Sequence, residues 1–302
     1  MLVSILPLYL VSKENAMKIA VVTDSNSGIT QDKAKEMGVF VIPMPFMIND
    51  VEYFEDINLT QDEFYKMLEG GAEVVTSQPS PEAVTDLWDE ILKSYDEIVH
   101  IPMSSGLSGS CQTAKMLAED YEGKVCVVNN QRISVTQRQS VLDALALAEK
   151  GHNASEIARI LEEDKFNSSI YIMVGTLDYL KRGGRITPAV ATIGSLLKIK
   201  PVLQIQGERL DSFAMARTVP SGKQIMINAI KKDIEKRFFV KDYSDLYISV
   251  AHSHDEEAAS LYMEELKSEF PGASFNMDPL SLSVACHIGP MSLAATVTKK
   301  LK

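Results

Sequence analysis

The chain is poor in cysteine, in basic charge and in long apolar runs, and each shortage removes a class of function. Its three cysteines, Cys111, Cys126 and Cys286, include no C-x-x-C pair. A disulfide framework is excluded, and a reducing, cytoplasmic compartment is expected. Thirty lysines and arginines stand against 41 aspartates and glutamates, a net charge of −11. No basic surface is left for non-specific nucleic-acid binding. The opening MLVSILPLYLVS is too short to span a bilayer and is broken by Pro7. Lys13 follows that run instead of preceding it, the wrong order for a secretory signal. Residues 1–16 are therefore expected to be an extension ahead of a natural start at Met17. Neither GxxxxGK[ST] nor GxGxxG occurs, so the chain is not expected to bind nucleotide by itself.

What remains is an ordinary globular composition, 45% hydrophobic and 24% charged over 302 residues. At roughly 100–200 residues per domain, that length predicts about two domains. Apolar strand-like runs alternate with amphipathic helical stretches, which points to an α/β fold. Strands are expected at 18–23, 97–103, 125–128, 169–174, 246–251, 273–278 and 293–298, with two more around Gly207. Thr60 with Glu63 and Asn153 with Glu156 are capping boxes, and Ser80-Pro81 opens a third helix. Further helices are expected at 188–197, 221–238 and 255–270. Pro43 and Pro45 argue against a regular central strand over 39–48. The N-terminal domain is placed at 17–166 and the C-terminal domain at 167–302, packed closely with a cleft between them.

Four segments carry the candidate chemistry. Ser104-Ser105-Gly106-Leu107-Ser108-Gly109-Ser110 lies between a strand and a helix, where hydroxyls and backbone N–H groups can converge on a carboxylate or phosphate. The same stretch invites comparison with the hydrolase elbow G-x-S-x-G, but here the final position is serine. A serine hydrolase or acyltransferase using Ser108 as nucleophile and His287 as base is the alternative; the sequence names neither an orienting acid nor an oxyanion hole for it. Thr76-Ser77-Gln78-Pro79-Ser80 again sets short hydroxyls ahead of a helix. His287, read as part of a CHIGP turn, is a candidate to hold one carboxylate oxygen. Lys181-Arg182-Gly183-Gly184-Arg185 places positive charge at a short helix's glycine-capped end. His252-x-His254-Asp255 lacks an evident third ligand, and no metal is expected.

Taken in order, TDS at 23–25, TSQPS at 76–80, SSGLSGS at 104–110, LKRGGRI at 180–186, LLKIKPVL at 196–203, ART at 216–218 and HIGP at 287–290 resemble the DegV family over nearly the whole chain from Met17. The resemblance implies a two-domain DegV-like α/β fold with a long-chain fatty acid buried between the domains. It implies that Thr76, Ser108 and His287 bind the carboxylate, with Ser104, Ser105, Gly106 and Gly109 as a supporting loop. Arg185 and Arg217 would face a partner or an acyl phosphate. The implied partner is the ATP-binding subunit of a bacterial fatty acid kinase, which would phosphorylate the acid that this non-enzymatic carrier presents, feeding phospholipid synthesis. Transient proximity to a membrane would accompany that role, and no cofactor is implied. Met291 stands where the family usually has glycine, and its side chain is expected to crowd the carboxylate or shift the backbone.

Overall fold

A computed structural model describes residues 17–185 and 199–301. The expected extension at 1–16 and the helix expected at 188–197 lie outside the described residues. The first lobe runs through β1 (Ile19–Asp24), α1 (Gln31–Met37), β2 (Phe40–Ile42), β3 (Pro45–Ile48), β4 (Val51–Phe54), α2 (Gln61–Glu69), β5 (Val74–Thr76), α3 (Pro81–Ile91), β6 (Glu97–Ile101), α4 (Ser110–Ala118), β7 (Val125–Val127), α5 (Val135–Glu149) and α6 (Ala154–Glu163). The second comprises β8 (Ser168–Met173), α7 (Asp178–Gly183), β9 (Lys200–Ile205), β10 (Leu210–Ala216), α8 (Val219–Asp233), β11 (Leu246–Ser253), α9 (Glu256–Glu269), β12 (Ser274–Pro279), α10 (Leu282–Ile288) and β13 (Ser292–Lys299).

In the first lobe, β2-β1-β6-β7 form a parallel sheet with helices on both faces. The alternation of strand side chains decides which helix each residue meets. Val21 and Val99 pack with Val141, Leu147 and Ile157 of α5 and α6. Ala20, Val22 and Ile98 pack with Val84 and Trp88 of α3 and Ala114 of α4. Helix ends follow the local signals: Thr60 and Asn153 complete capping boxes, and Ser80 accepts from Ala83 N–H ahead of Pro81.

The second lobe is a six-stranded sheet, β10-β9-β8-β13-β11-β12. One face holds Tyr171, Met173, Ile248, Val250, Leu293 and Val297 against α8 and α9. The opposite face, with Ile170, Ile172, Leu203, Ala251 and Ala294, turns towards the first lobe. A third sheet, β4-β3-β5, closes over that face together with Phe64, Tyr65 and Leu68 of α2.

Two local expectations need correction. The 39–48 stretch is not one irregular segment: Pro43 separates two strands, and β3 is the centre of the small sheet, with Pro45 as its first residue, where no internal N–H is lost. The residues around His287 are helical and not a turn. Leu282–Ile288 form α10, and only Gly289 leaves the helix.

The lobes meet through the loop after β6. Ser104 Oγ donates to Glu208 O at 3.0 Å, in the turn between β9 and β10. Gly106 lies so close to the same residue that a Cβ would collide with the Glu208 carbonyl and side chain. Gly106→Ala should therefore cost about 1–3 kcal/mol, the usual penalty for overpacking a tight contact. Thermal denaturation should show a lowered midpoint; an unchanged midpoint would mean that the two loops separate freely.

Candidate functional site

Between the lobes lies a cavity of about 290 Å³, near the lower bound of about 300 Å³ usual for small-molecule sites. Its floor is the face of the six-stranded sheet turned away from α8 and α9: Ile172, Ala251 and Ala294 line it, and the two alanines sit opposite each other across β11 and β13. Met44, Met103, Ile133 and Leu210 contribute to the apolar walls. Thr76, Ser108, Gly109, Arg185 and His287 line it too, so the folded chain gathers these five expected residues around one space.

Each polar group arrives by a definable route. Thr76 is the last residue of β5, delivered by the small sheet through pairing of Phe46 with Thr76. Its Oγ1 lies 2.9 Å from His287 Nε2, a hydrogen bond between the lobes. His287 occupies the last turn of α10, and a Cβ at Gly183 would collide with its Nδ1, so the glycine that ends α7 is what makes room for the imidazole. At the other end of α10, the Leu282 N–H donates to Glu55 Oε2 at 2.8 Å. Glu55 thereby ties the first lobe to the helix that carries His287; burial pushes its carboxyl up to about 8. Burial, reinforced by the Arg185 guanidinium, pushes His287 down to about 4, so the imidazole is neutral at pH 7.

The Ser104–Ser110 loop works differently from an amide nest. The N–H groups of Leu107 and Ser108 donate to Ser104 O, and Gly106 N–H to Ser104 Oγ. Ser110 N–H, at the start of α4, donates to Ser108 Oγ at 3.2 Å. With its oxygen engaged as acceptor, the Ser108 hydroxyl keeps its proton to donate. Ser104 and Ser105 are drawn instead to Glu208 and Asn129, and with Gly106 they do not line the cavity. Gly109 fits beside Gln78, whose amide exchanges hydrogen bonds with Thr113 of α4.

Arg185 is exposed and donates to Gly183 O. Arg217 is also exposed, in the bend between β10 and α8, and is not part of the cavity wall. Met291 takes a left-handed conformation, φ 60°, with its side chain 61% exposed and outside the cavity lining. The expected crowding of the site by Met291 does not occur; the cost is the backbone conformation that glycine would adopt freely.

A nucleophile–base pair is not assembled. His287 Nε2 faces Thr76, Gly183 blocks the side of Nδ1 where an orienting carboxylate would stand, and Ser108 Oγ is bonded to Ser110 N–H. An imidazole with its pKa near 4 is a weak base for a serine hydroxyl. Among the described residues no group of three His, Cys, Asp or Glu could hold a metal ion. His254 instead lies against the Tyr65 ring at 4.3 Å. No described helix is long and apolar enough to cross a membrane.

Sequence reasoning placed Gly183 in the KRGGR segment without its role beside His287, and missed Glu55 and the polar cavity residues Asn26, Ser134, Ser283 and Thr296. A signal was present for the small sheet that delivers Thr76. Asn49-Asp50, both at positive φ, join β3 to β4, and such a pair between apolar runs marks a two-residue hairpin.

Fold and site define a two-lobed α/β protein with an apolar inter-lobe cavity and hydroxyl groups in its wall. The chain belongs to the DegV family: the model described as "Uncharacterised protein, DegV family" matches residues 18–300. A DegV domain-containing protein of Staphylococcus aureus is 30% identical over 287 residues, covering 94% of this chain and 99% of that protein. Protein DegV of Bacillus subtilis is 31% identical over 280 residues, 92% and 98% of the two chains. Among solved structures, a Thermus thermophilus DegV family protein described for its fatty acid binding has a TM-score of 0.85 at 30% identity, covering 94% of this chain and 100% of that one. Bacillus subtilis DegV, described as a fatty acid binding protein, has a TM-score of 0.83 at 29% identity, covering 94% and 100%.

The state of His287 is directly measurable. Its imidazole resonances should titrate near pH 4, and Arg185→Gln should move that midpoint upward by removing a like charge. Because the unfolded chain takes up this proton near 6.5 and the folded one only near 4, the contribution of His287 to stability should be lost as pH drops through that window, read as the difference between the wild type and His287→Gln. A midpoint at 6.5 would mean that the ring is solvated.

Proposed function

We propose that the chain is a non-enzymatic carrier that binds a long-chain fatty acid in the inter-lobe cavity and presents its carboxylate to the ATP-binding subunit of a fatty acid kinase. The observation that carries this reading is the cavity itself, apolar along the sheet and edged by Thr76, Ser108 and His287. A fifteen-methylene tail gains on the order of 12 kcal/mol gross on burial, at about 0.8 kcal/mol per CH₂. Association and ordering take back several of those. The tail supplies affinity and the polar end orientation. The binding properties ascribed to the Thermus and Bacillus relatives support the same reading.

In this account Ser108 donates its free proton to one carboxylate oxygen, and Thr76, supported by His287, donates to the other. Neutral donors hold the acid without clamping it, which suits a group that must next be phosphorylated. Arg185, which lines the same cavity, is assigned to the partner or the acyl phosphate, as is Arg217. The product would pass to phospholipid synthesis.

Native mass spectrometry of protein purified from a bacterial host should show a retained fatty acid. Thr76→Ala and Ser108→Ala should each lower acyl phosphate formation with a cognate kinase by about tenfold, the worth of one hydrogen bond to a charged group. A protein that carries no lipid and ignores added palmitate or oleate would overturn the reading; full turnover in both variants would mean the carboxylate lies elsewhere. Ala294→Leu, which fills the cavity floor, should shorten the longest acyl chain retained; an unchanged lipid profile would remove the tail from the sheet face.

A further inference from the structure

The cavity has hydroxyls at a second place, along the sheet from His287. Thr296 lies on β13 four residues beyond Ser292, about 14 Å along the strand at roughly 3.4 Å per residue. It pairs with Ile170 of β8, and both line the cavity. Helix α5 packs against β13, and Ser134, its N-cap, lies in the cavity wall. Ser134 and Thr296 are 6% and 2% exposed, and among the described residues neither hydroxyl has a hydrogen-bond partner. Neither oxygen is among the fully buried, unpartnered side-chain atoms, so both open onto the cavity, where a ligand group can hydrogen-bond to them.

Ser134 adds a second, independent oddity. It occupies the N-cap of a fifteen-residue helix, the place where a serine normally accepts a hydrogen bond from the first turn, yet its side chain makes no capping bond. Its backbone, at φ 56° and ψ −139°, is in a region that only glycine adopts freely. That conformation is pinned by Ser134 N–H donating to Asn26 O at 3.0 Å and Arg138 N–H donating to Ser134 O at 2.9 Å. Strain of this kind, held by its surroundings in the wall of a cavity, is a mark of ligand contact.

We propose that Ser134 and Thr296 form a second polar subsite that takes a hydroxyl group carried mid-chain by the fatty acid, so that the cavity favours hydroxylated over unsubstituted acyl chains. The inference rests on the fatty-acid reading above. A chain hydroxyl is both donor and acceptor, as are both side chains, and the unpaired N–H groups of the α5 first turn favour an oxygen at this place. An unsubstituted methylene there leaves both hydroxyls unsatisfied, and that difference sets the selectivity.

Calorimetric titration of delipidated protein with stearate, its mid-chain hydroxy derivative and its β-hydroxy derivative tests this. The mid-chain hydroxy acid should bind about tenfold more tightly than stearate, roughly one hydrogen bond, and the β-hydroxy acid should show no such gain. In Thr296→Val and in Ser134→Ala the ratio of the two affinities should fall towards one. Equal binding of all three acids overturns the subsite and leaves the fatty-acid reading standing. A preference that survives both substitutions overturns its assignment to these residues. Failure of every acid to bind overturns both readings. Should Ser134→Ala not fold, the wild-type ratio and Thr296→Val decide.

Discussion

The face of the six-stranded sheet turned away from α8 and α9 must be buried as well, and this constraint organises the molecule. Ile170, Ile172, Leu203, Ala251 and Ala294 would be a large exposed apolar surface if the second lobe stood alone. The first lobe, the small three-stranded sheet and the short helices α7 and α10 cover them. The cavity opens over the paired Ala251 and Ala294, with Ile170 and Ile172 beside them. The same burial that joins the lobes therefore creates the apolar space.

Polarity is then concentrated at chosen points. The Thr76–His287 hydrogen bond spans the lobes, and its two partners depend on distant features: the hairpin at Asn49-Asp50 for Thr76, and Gly183 with Glu55 for His287. A neutral imidazole beside an exposed arginine keeps positive charge near the site without fixing it on the ring. In the proposed transfer, such a site would orient an anion and still release it.

Much of this was legible from the chain. Capping boxes and glycine stops located helices to within a residue or two, because those signals are local and chemical. The buried strands of both large sheets were visible as apolar runs. The small sheet was obscured by two prolines, whose effect depends on whether they begin a strand or interrupt it. Helix α10 was hidden because Gly289-Pro290 suggested a turn, although both residues fall after the helix. Thr76, Ser108 and His287 lay within recognisable motifs. Ser104, Ser105 and Gly106 belonged to the same motif, but only the packing against Glu208 shows that they join lobes. Gly183 lay within the KRGGR segment, but its missing Cβ matters only once an imidazole stands beside it; Thr296 gave no sequence signal, because an unpaired hydroxyl matters only once its neighbours are known.

A crystal structure of the protein with a bound long-chain fatty acid tests the central claim most directly. The account predicts an aliphatic chain along Ala251 and Ala294, with carboxylate oxygens at hydrogen-bonding distance, about 3 Å, from Thr76 Oγ1 and Ser108 Oγ. A lipid seated elsewhere, or lobes closed over an empty space while lipid is bound, would contradict it.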